Sequence, residues 1–319
     1  MYKIELNLPI IGKIFINIQN KQLFIFTKRQ LKNYIIDVSI NNDNTDFVTI
    51  YTNIDEKFND VVLGREIKFQ HNILQFLKTT RVQTIDYKYD FNNQLILDIK
   101  FKKNFFYYIK AFLSSNYAMN HILFYQSILY PIFSLYTLVD NYFLVHGSLL
   151  KLGDKYIVLT GLDGVGKSSL SNELVVCGAK ILADNFVLFN GDSFLGLNMP
   201  IRLDLENSTN ENTIYKDSNL KEILYDYKKD TEINVDEVYF LNISDNLEVK
   251  IIDKNIAKHN WNFINNGAGE IIEANSFCLP FLYQNLISLK QDIDGNIKYF
   301  SFSIPKGKIK EAVKEILWD

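Results

Sequence analysis

The feature that most constrains this chain is the glycine-rich run Gly161-Leu162-Asp163-Gly164-Val165-Gly166-Lys167-Ser168. It matches the pattern G-x-x-x-x-G-K-[ST] in full. Glycines let the backbone curl so that several N–H groups face one concavity, and a helix that starts there adds its unpaired N–H groups and the positive end of its dipole. The run therefore predicts a phosphate-binding loop between a strand and a helix. A glycine turn with a chance lysine is the alternative.

The residues around the loop predict how a nucleotide is held. We expect a strand over Tyr156–Thr160 and a helix over Lys167–Cys177. Lys167 is suited to neutralise the β- and γ-phosphates, and the Ser168 hydroxyl is suited to bind Mg²⁺. The predicted cofactors are therefore ATP and Mg²⁺. The predicted nucleotide contacts are Gly161, Leu162, Asp163, Gly164, Val165, Gly166, Lys167, Ser168 and Ser169.

An acidic residue lies inside the next apolar segment. Asp184 follows Ile181-Leu182-Ala183 and precedes Phe186-Val187-Leu188, in a strand that we predict over Lys180–Phe189. Burying an unpaired carboxylate costs on the order of several kcal/mol, so a cation partner is expected. We predict that Asp184 and Ser168 bind the same Mg²⁺. A motor, GTPase or ABC-type ATPase would instead offer a long apolar strand that ends in Asp well downstream.

Four features together resemble the HPr kinase/phosphorylase superfamily, in particular its divergent HPr kinase-like members. They are His146-Gly147-Ser148, a short hairpin, the glycine-rich run and the strand with Ala183-Asp184. The resemblance covers about residues 142–204 and extends more distantly to ATP-type phosphoenolpyruvate carboxykinase. It implies an α/β fold, with a P-loop kinase domain of the HPr kinase/PEP carboxykinase-like type.

The resemblance also implies an activity, namely an ATP-dependent kinase that transfers the γ-phosphoryl group to a hydroxyl. The acceptor would be a Ser or Thr of a peptide or protein, or a small metabolite. The implied catalytic residues are His146, Lys167 and Asp184, with His146 near the acceptor. The family has two consecutive aspartates after the helix, whereas this chain has Asp184 and then Asn185, and an amide cannot take up a proton.

Asn185 leaves three alternatives open. Asp184 serves alone, His146 assists as the base, or the protein binds ATP with little transfer and acts as a regulatory module. An enzyme of the carboxykinase type is a further hypothesis, against which the missing second aspartate counts. We do not expect the dephosphorylating activity of the bifunctional family members, because their downstream signature is not recognisable here.

The residues before the loop predict a separate domain. Short segments such as Lys3–Leu8 and Lys13–Ile18 are typical of strands, and Asn92-Asn93 indicates a hairpin. A helical pattern then runs from Ser114 to Val139. We predict a β-rich substrate- or partner-recognition domain over residues 1–115 and a nucleotide-binding domain over residues 116–319.

Composition limits the other classes of function. The net charge of -3 argues against a nucleic-acid partner, and a strand end explains the basic and aromatic residues of Lys100–Lys110. Two distant cysteines and a charged N-terminus indicate the cytoplasm. The apolar stretch Ile122–Val139 contains Gln126 and Pro131, so we predict a buried helix and no membrane span. The family resemblance also implies a homo-oligomer.

Overall fold

The computed structural model describes most of the chain. The described residues are 2–18, 20–40, 47–52, 68–70, 73–79, 83–90, 95–103, 116–140, 142–197, 199–203, 213–216, 221–223, 232–268, 293 and 296–318. They form a mixed α/β structure that includes a sheet with both parallel and antiparallel strands.

The chain divides into two compact units. The N-terminal unit consists of Met1–Val139 with Ser276–Tyr283, and the C-terminal unit consists of Asp140–Asn275 and Gln284–Asp319. This division falls after residue 139, whereas the sequence predicted a boundary after residue 115. The helical segment before Asp140 therefore belongs to the N-terminal unit.

The N-terminal unit contains one eight-stranded antiparallel sheet. Its strands are β1 (Tyr2–Leu8), β2 (Gly12–Ile18), β3 (Ile35–Ile40), β4 (Phe47–Thr52), β5 (Lys68–Gln70), β6 (Ile73–Thr79), β7 (Gln83–Asp90) and β8 (Leu95–Lys103). Their order in the sheet is β3-β1-β2-β4-β8-β7-β6-β5. β7 and β8 pair antiparallel, from Gln83 with Lys103 to Asp90 with Ile96, which confirms the predicted hairpin.

A helix that the sequence did not predict follows β2. Helix α1 (Lys21–Gln30) begins after Asn20, whose side-chain oxygen accepts a hydrogen bond from the backbone N–H of Leu23 at 3.0 Å. Its buried face includes Leu23, Phe24 and Phe26. The pattern alone does not reveal this helix, because an apolar and aromatic run fits a strand as well as a helix until its packing is known. The 3₁₀ turn Lys32–Tyr34 leads into β3.

The predicted helix before Asp140 contains an irregular turn. Helix α2 (Asn116–Phe124) continues through the π-helical turn Tyr125–Leu129 into helix α3 (Tyr130–Asp140). The wide turn ends just before Pro131, which has no N–H to continue the regular ladder. Within the described part of the chain, none of the helices combines the length and the apolar character that spanning a bilayer requires.

Two further sheets form the C-terminal unit. The strands are β9 (Phe143–Leu152), β10 (Lys155–Thr160), β11 (Lys180–Ala183), β12 (Phe186–Phe189), β13 (Phe194–Leu195), β14 (Ile201–Leu203), β15 (Thr213–Lys216), β16 (Lys221–Ile223), β17 (Glu237–Ile243), β18 (Glu248–Ile252) and β19 (Lys298–Ile304). The main sheet has the order β13-β12-β9-β10-β17-β19-β18, with β11 also paired to β9. β10, β17 and β19 are parallel. β14, β16 and β15 form the small sheet.

Helices cover both faces of the main sheet. They are α4 (Lys167–Val176), α5 (Lys254–Gly267) and α6 (Ile309–Trp318). Leu170 and Leu174 of α4 and Val313 of α6 belong to one buried cluster with Tyr239 of β17. Trp261 of α5 packs against Phe240, the next residue of β17. Because successive strand residues point to opposite faces, α5 lies on the face opposite α4 and α6.

Candidate functional site

The glycine loop, residues 161–166, connects β10 to α4. Gly166 is the N-cap of α4 and has φ 96°, a backbone conformation that side chains with a Cβ rarely adopt. Its carbonyl accepts the N–H of Leu170 at 2.9 Å, so the helix begins directly after the loop. The first turn of α4 carries no acidic residue. No carboxylate of this turn therefore competes for the unpaired N–H groups at the helix N-terminus, which leaves them available to bind an anion.

Lys167 folds back onto the glycine loop. Its Nζ donates hydrogen bonds to the carbonyl oxygens of Gly161 and Leu162, both at 2.9 Å. The residue is only 8% exposed, although its charge would ordinarily keep it in water. The loop thus holds a buried ammonium group beside the N-terminus of α4. Both groups favour an anion at this place, so the loop fits the phosphates of a nucleotide.

The neighbouring strand β9 changes partners beside the loop. β12 pairs with β9 up to His146 opposite Phe186, and β11 pairs with it from Leu149 opposite Ala183. The intervening residues of β9, Gly147 and Ser148, lie opposite Asp184 and Asn185. We call this gap in the ladder the sheet break.

Backbone geometry at the sheet break explains two of its residues. Asn185 has φ 72°, a left-handed conformation that asparagine tolerates better than most residues. Its carbonyl oxygen accepts the N–H of Gly147 at 3.2 Å. A Cβ on Gly147 would stand 2.5 Å from the carbonyl oxygen of Leu159, so only glycine fits between β9 and β10 here. The strand that the sequence predicts over Lys180–Phe189 is interrupted at Asp184-Asn185, and its two parts are β11 and β12.

Ser148 holds Asp184 in place. The Ser148 hydroxyl, only 1% exposed, donates a hydrogen bond to Oδ1 of Asp184 at 2.6 Å. Asp184 itself is half-buried. Sequence reasoning did not assign a role to Ser148. Its signal was a small polar residue in an apolar strand, two positions after His146, which places both side chains on the same face of β9.

His146 connects the sheet break to the glycine loop. It is 5% exposed, and its Nδ1 lies 3.0 Å from Oδ1 of Asp163 in the loop. The pKa of His146 is lowered to about 4, mainly because the side chain is buried and also because of the charge of Lys167, while Asp163 and a hydrogen bond with the Asn185 side chain act in the opposite direction. The imidazole is therefore neutral at pH 7, beside a lysine that carries the positive charge.

The lowered pKa of His146 predicts how stability depends on pH. The unfolded chain takes up this proton below about pH 6.5, and the folded chain only below about pH 4. Between these values the unfolded state binds more protons. The free energy of unfolding should therefore fall as the pH is lowered through this window, by about 3 kcal/mol for this group.

Urea unfolding between pH 7.5 and pH 4 measures this effect. His146→Gln should lose less stability on acidification than the wild-type chain, because glutamine does not titrate. His259→Gln is the matched control, since His259 is exposed on α5, and it should follow the wild-type profile. If the stability of the wild type and of His146→Gln changed equally with pH, the lowered pKa of His146 would be contradicted.

The structure brings some predicted site residues together and leaves others apart. His146, Asp163, Lys167 and Asn185 interact in one cluster, and Asp184 adjoins it through Ser148. Ser168 and Ser169 are exposed at the start of α4. The described contacts join Asp184 to Ser148 and not to Ser168, so the shared Mg²⁺ site stays a prediction. Within the described ranges, no group of three His, Cys, Asp or Glu residues is placed to hold a metal ion.

One further sequence feature falls partly outside the described residues. The basic and aromatic stretch that starts at Lys100 begins within β8, which pairs along Lys100–Lys103 with β7. This part of the stretch is the end of a strand, as predicted from the sequence.

Comparison with known proteins adds a distant likeness. No protein-family model matches the chain, and no curated protein matches it. Among solved structures, it is similar to the HPr(Ser) kinase/phosphatase from Coxiella burnetii, with 9% identity and a TM-score of 0.25. The match covers 55% of this chain and 96% of that one. The similarity to an HPr kinase/phosphatase is thus weak and concerns the fold alone.

Proposed function

We propose that this chain binds ATP with Mg²⁺ and transfers the γ-phosphoryl group to a hydroxyl of a peptide, a protein or a small metabolite. The proposal rests on one observation: His146, next to the sheet break, interacts with Asp163 and Lys167 of the glycine loop and helix start. One cluster there combines a buried ammonium group, a neutral imidazole and, through Ser148, the carboxylate of Asp184. Phosphoryl transfer needs phosphate neutralisation and an oriented acceptor, and these groups supply both.

Each residue has a distinct part in the proposed reaction. The loop N–H groups and Lys167 bind the phosphates, and Ser168 with Asp184 would hold Mg²⁺, which supplies charge neutralisation when bound. The acceptor oxygen bonds to the γ-phosphorus as the bond to the departing ADP oxygen breaks. The acceptor proton passes to Asp184, which Ser148 keeps oriented toward the cluster.

His146 is a positioning group in this proposal. Burial and the charge of Lys167 lower its pKa to about 4, so the imidazole is neutral at pH 7 and adds no second positive charge beside Lys167. Its Nδ1 near Asp163 and its hydrogen bond with Asn185 tie the loop to the sheet break. The transition state of phosphoryl transfer is loose, so it requires positioning more than strong base catalysis.

A second function is favoured by Asn185. This amide occupies the position beside His146 where the family that the sequence resembles has a second carboxylate, and it cannot accept a proton. The chain would then bind ATP with little or no transfer and regulate a partner. If the chain is a kinase, its N-terminal unit would recognise the acceptor. If the chain is a regulatory module, the same unit would contact the regulated partner.

One experiment separates these functions. Calorimetry of the full chain with ATP and Mg²⁺ first measures binding. Incubation with γ-labelled ATP, a pool of Ser- and Thr-containing peptides and a pool of small alcohols then measures transfer. Label on an acceptor supports the kinase, binding without transfer supports the regulatory module, and the absence of ATP binding contradicts both.

A further inference from the structure

A groove lies between helices α4 and α6, next to the glycine loop. Its volume is about 660 Å³, within the roughly 300–1,000 Å³ typical of small-molecule sites. We call it the α4–α6 groove. The side chains that line it are those of Ser169, Asn172, Glu173, Ile309, Lys310, Glu311 and Lys314.

The groove begins where the glycine loop ends. Ser169 lies in the first turn of α4, directly after Lys167 and Ser168. On the other side, Ile309 begins α6, and its Cδ1 would stand 3.3 Å from a Cβ on Gly166. The loop and both walls of the groove are thus continuous. A ligand whose phosphates lie at the N-terminus of α4 can extend along the helix into this space.

The groove walls carry the groups that a ribose and a base require. Asn172 and Glu173 of α4 offer an amide and a carboxylate, which can bond the base edge and accept hydrogen bonds from ribose hydroxyls. Lys310 and Lys314 are four residues apart on α6, so they lie on one face of that helix. Lys310 follows Ile309 at the loop end of α6 and adds positive charge there, whereas Lys314 lies one turn farther from the loop. Ile309 adds apolar surface at the loop end of the groove.

A second carboxylate, Glu311, also lines the groove. Lys308, just outside the groove, forms an ion pair with Glu311 at 2.7 Å, and this hydrogen bond is the main cause that lowers the pKa of Glu311; the charge of Lys314 lowers it as well. Lys310 is exposed beside this pair. An incoming anion therefore meets the exposed ammonium group of Lys310 next to a carboxylate that Lys308 already pairs.

We propose that the α4–α6 groove binds the nucleoside, the ribose and base, of the nucleoside triphosphate whose phosphates lie at the glycine loop. This inference rests on the proposed nucleotide-binding function and assigns it a second set of residues. Glu173 accepts hydrogen bonds from the ribose hydroxyls, Asn172 contacts the base, and Lys310 at the loop end of α6 neutralises the α-phosphate side.

Comparing ATP with inorganic tripolyphosphate tests the groove separately from the loop. Calorimetry of the full chain with Mg²⁺ gives the affinity for each ligand. Asn172→Trp fills the groove with a large ring and should weaken ATP binding by about 10-fold or more, while the affinity for tripolyphosphate stays unchanged. Val176→Trp is the matched control, because Val176 lies on the same helix, is 68% exposed and is outside the groove.

A second variant tests the ribose contact without a steric change. Glu173→Gln should weaken binding of ATP severalfold and leave 2′,3′-dideoxy-ATP unaffected, because the dideoxy sugar has no hydroxyl at either position. The groove assignment is overturned if Asn172→Trp weakens ATP and tripolyphosphate equally or neither of them. If wild-type protein binds neither ligand, the proposed function fails together with this inference. If it binds tripolyphosphate as tightly as ATP, only the groove assignment fails.

Discussion

Lys167→Ala should lower ATP-dependent phosphoryl transfer by about 100-fold or more, the scale of losing one charge-stabilising donor. The ammonium group lies 2.9 Å from the carbonyl oxygens of Gly161 and Leu162, so it is fixed within the loop before any ligand arrives. ATP binding should weaken about 10-fold or more, because the variant removes the buried positive charge that the proposed function pairs with the phosphates. Calorimetry with ATP and the transfer assay with γ-labelled ATP measure the two effects.

The matched control for this variant is Lys180→Ala. Lys180 is exposed at the start of β11, so its loss should change neither binding nor transfer. Lys167→Ala also removes a positive charge that lowers the pKa of His146, so the imidazole should titrate above its value of about 4. NMR of the His146 ring measures this change independently of activity. Unchanged ATP affinity and turnover would contradict the proposed function.

Asp184→Asn should also lower transfer by about 100-fold or more, the lower end of what a positioned acid or base contributes. Asparagine keeps an oxygen that can accept the Ser148 hydroxyl, which bonds Asp184 at 2.6 Å, so the fold of the sheet break should persist. What the variant removes is the negative charge, and with it both metal binding and proton uptake. The γ-label transfer assay over a range of Mg²⁺ concentrations measures the loss.

The dependence of transfer on Mg²⁺ and on pH distinguishes metal binding by Asp184 from proton uptake by Asp184. If the carboxylate binds the metal, excess Mg²⁺ should partly restore transfer; if it takes up the proton, the pH profile should change while the Mg²⁺ requirement stays. Asp154→Asn is the control, because Asp154 lies in the exposed turn between β9 and β10. Full transfer by Asp184→Asn at every Mg²⁺ concentration would remove Asp184 from the mechanism.

The parts of the fold that local chemistry controls were predictable. A turn at Asn92-Asn93 between alternating residues predicted the β7–β8 hairpin, and the hairpin is present. The predicted strand Tyr156–Thr160 and the predicted helix Lys167–Cys177 correspond to β10 and α4. Helix α1 was missed, because its run of Leu23, Phe24, Ile25 and Phe26 reads equally well as a strand. Packing against β1 and β2 selects the helix.

The sequence by itself determined the glycine loop, because the spacing of its glycines and Lys167 acts within one turn of backbone. It also marked Asp184, since a carboxylate in an apolar segment requires a partner. Only the tertiary structure showed that the Ser148 hydroxyl contacts this carboxylate. Ser148 lies 36 residues from Asp184 along the chain, and they meet because β9 exchanges β12 for β11 at that point. The tertiary structure also decided that His146 is neutral, because its burial depends on how the strands pack. The α4–α6 groove likewise exists only because two helices that are distant in the sequence pack side by side.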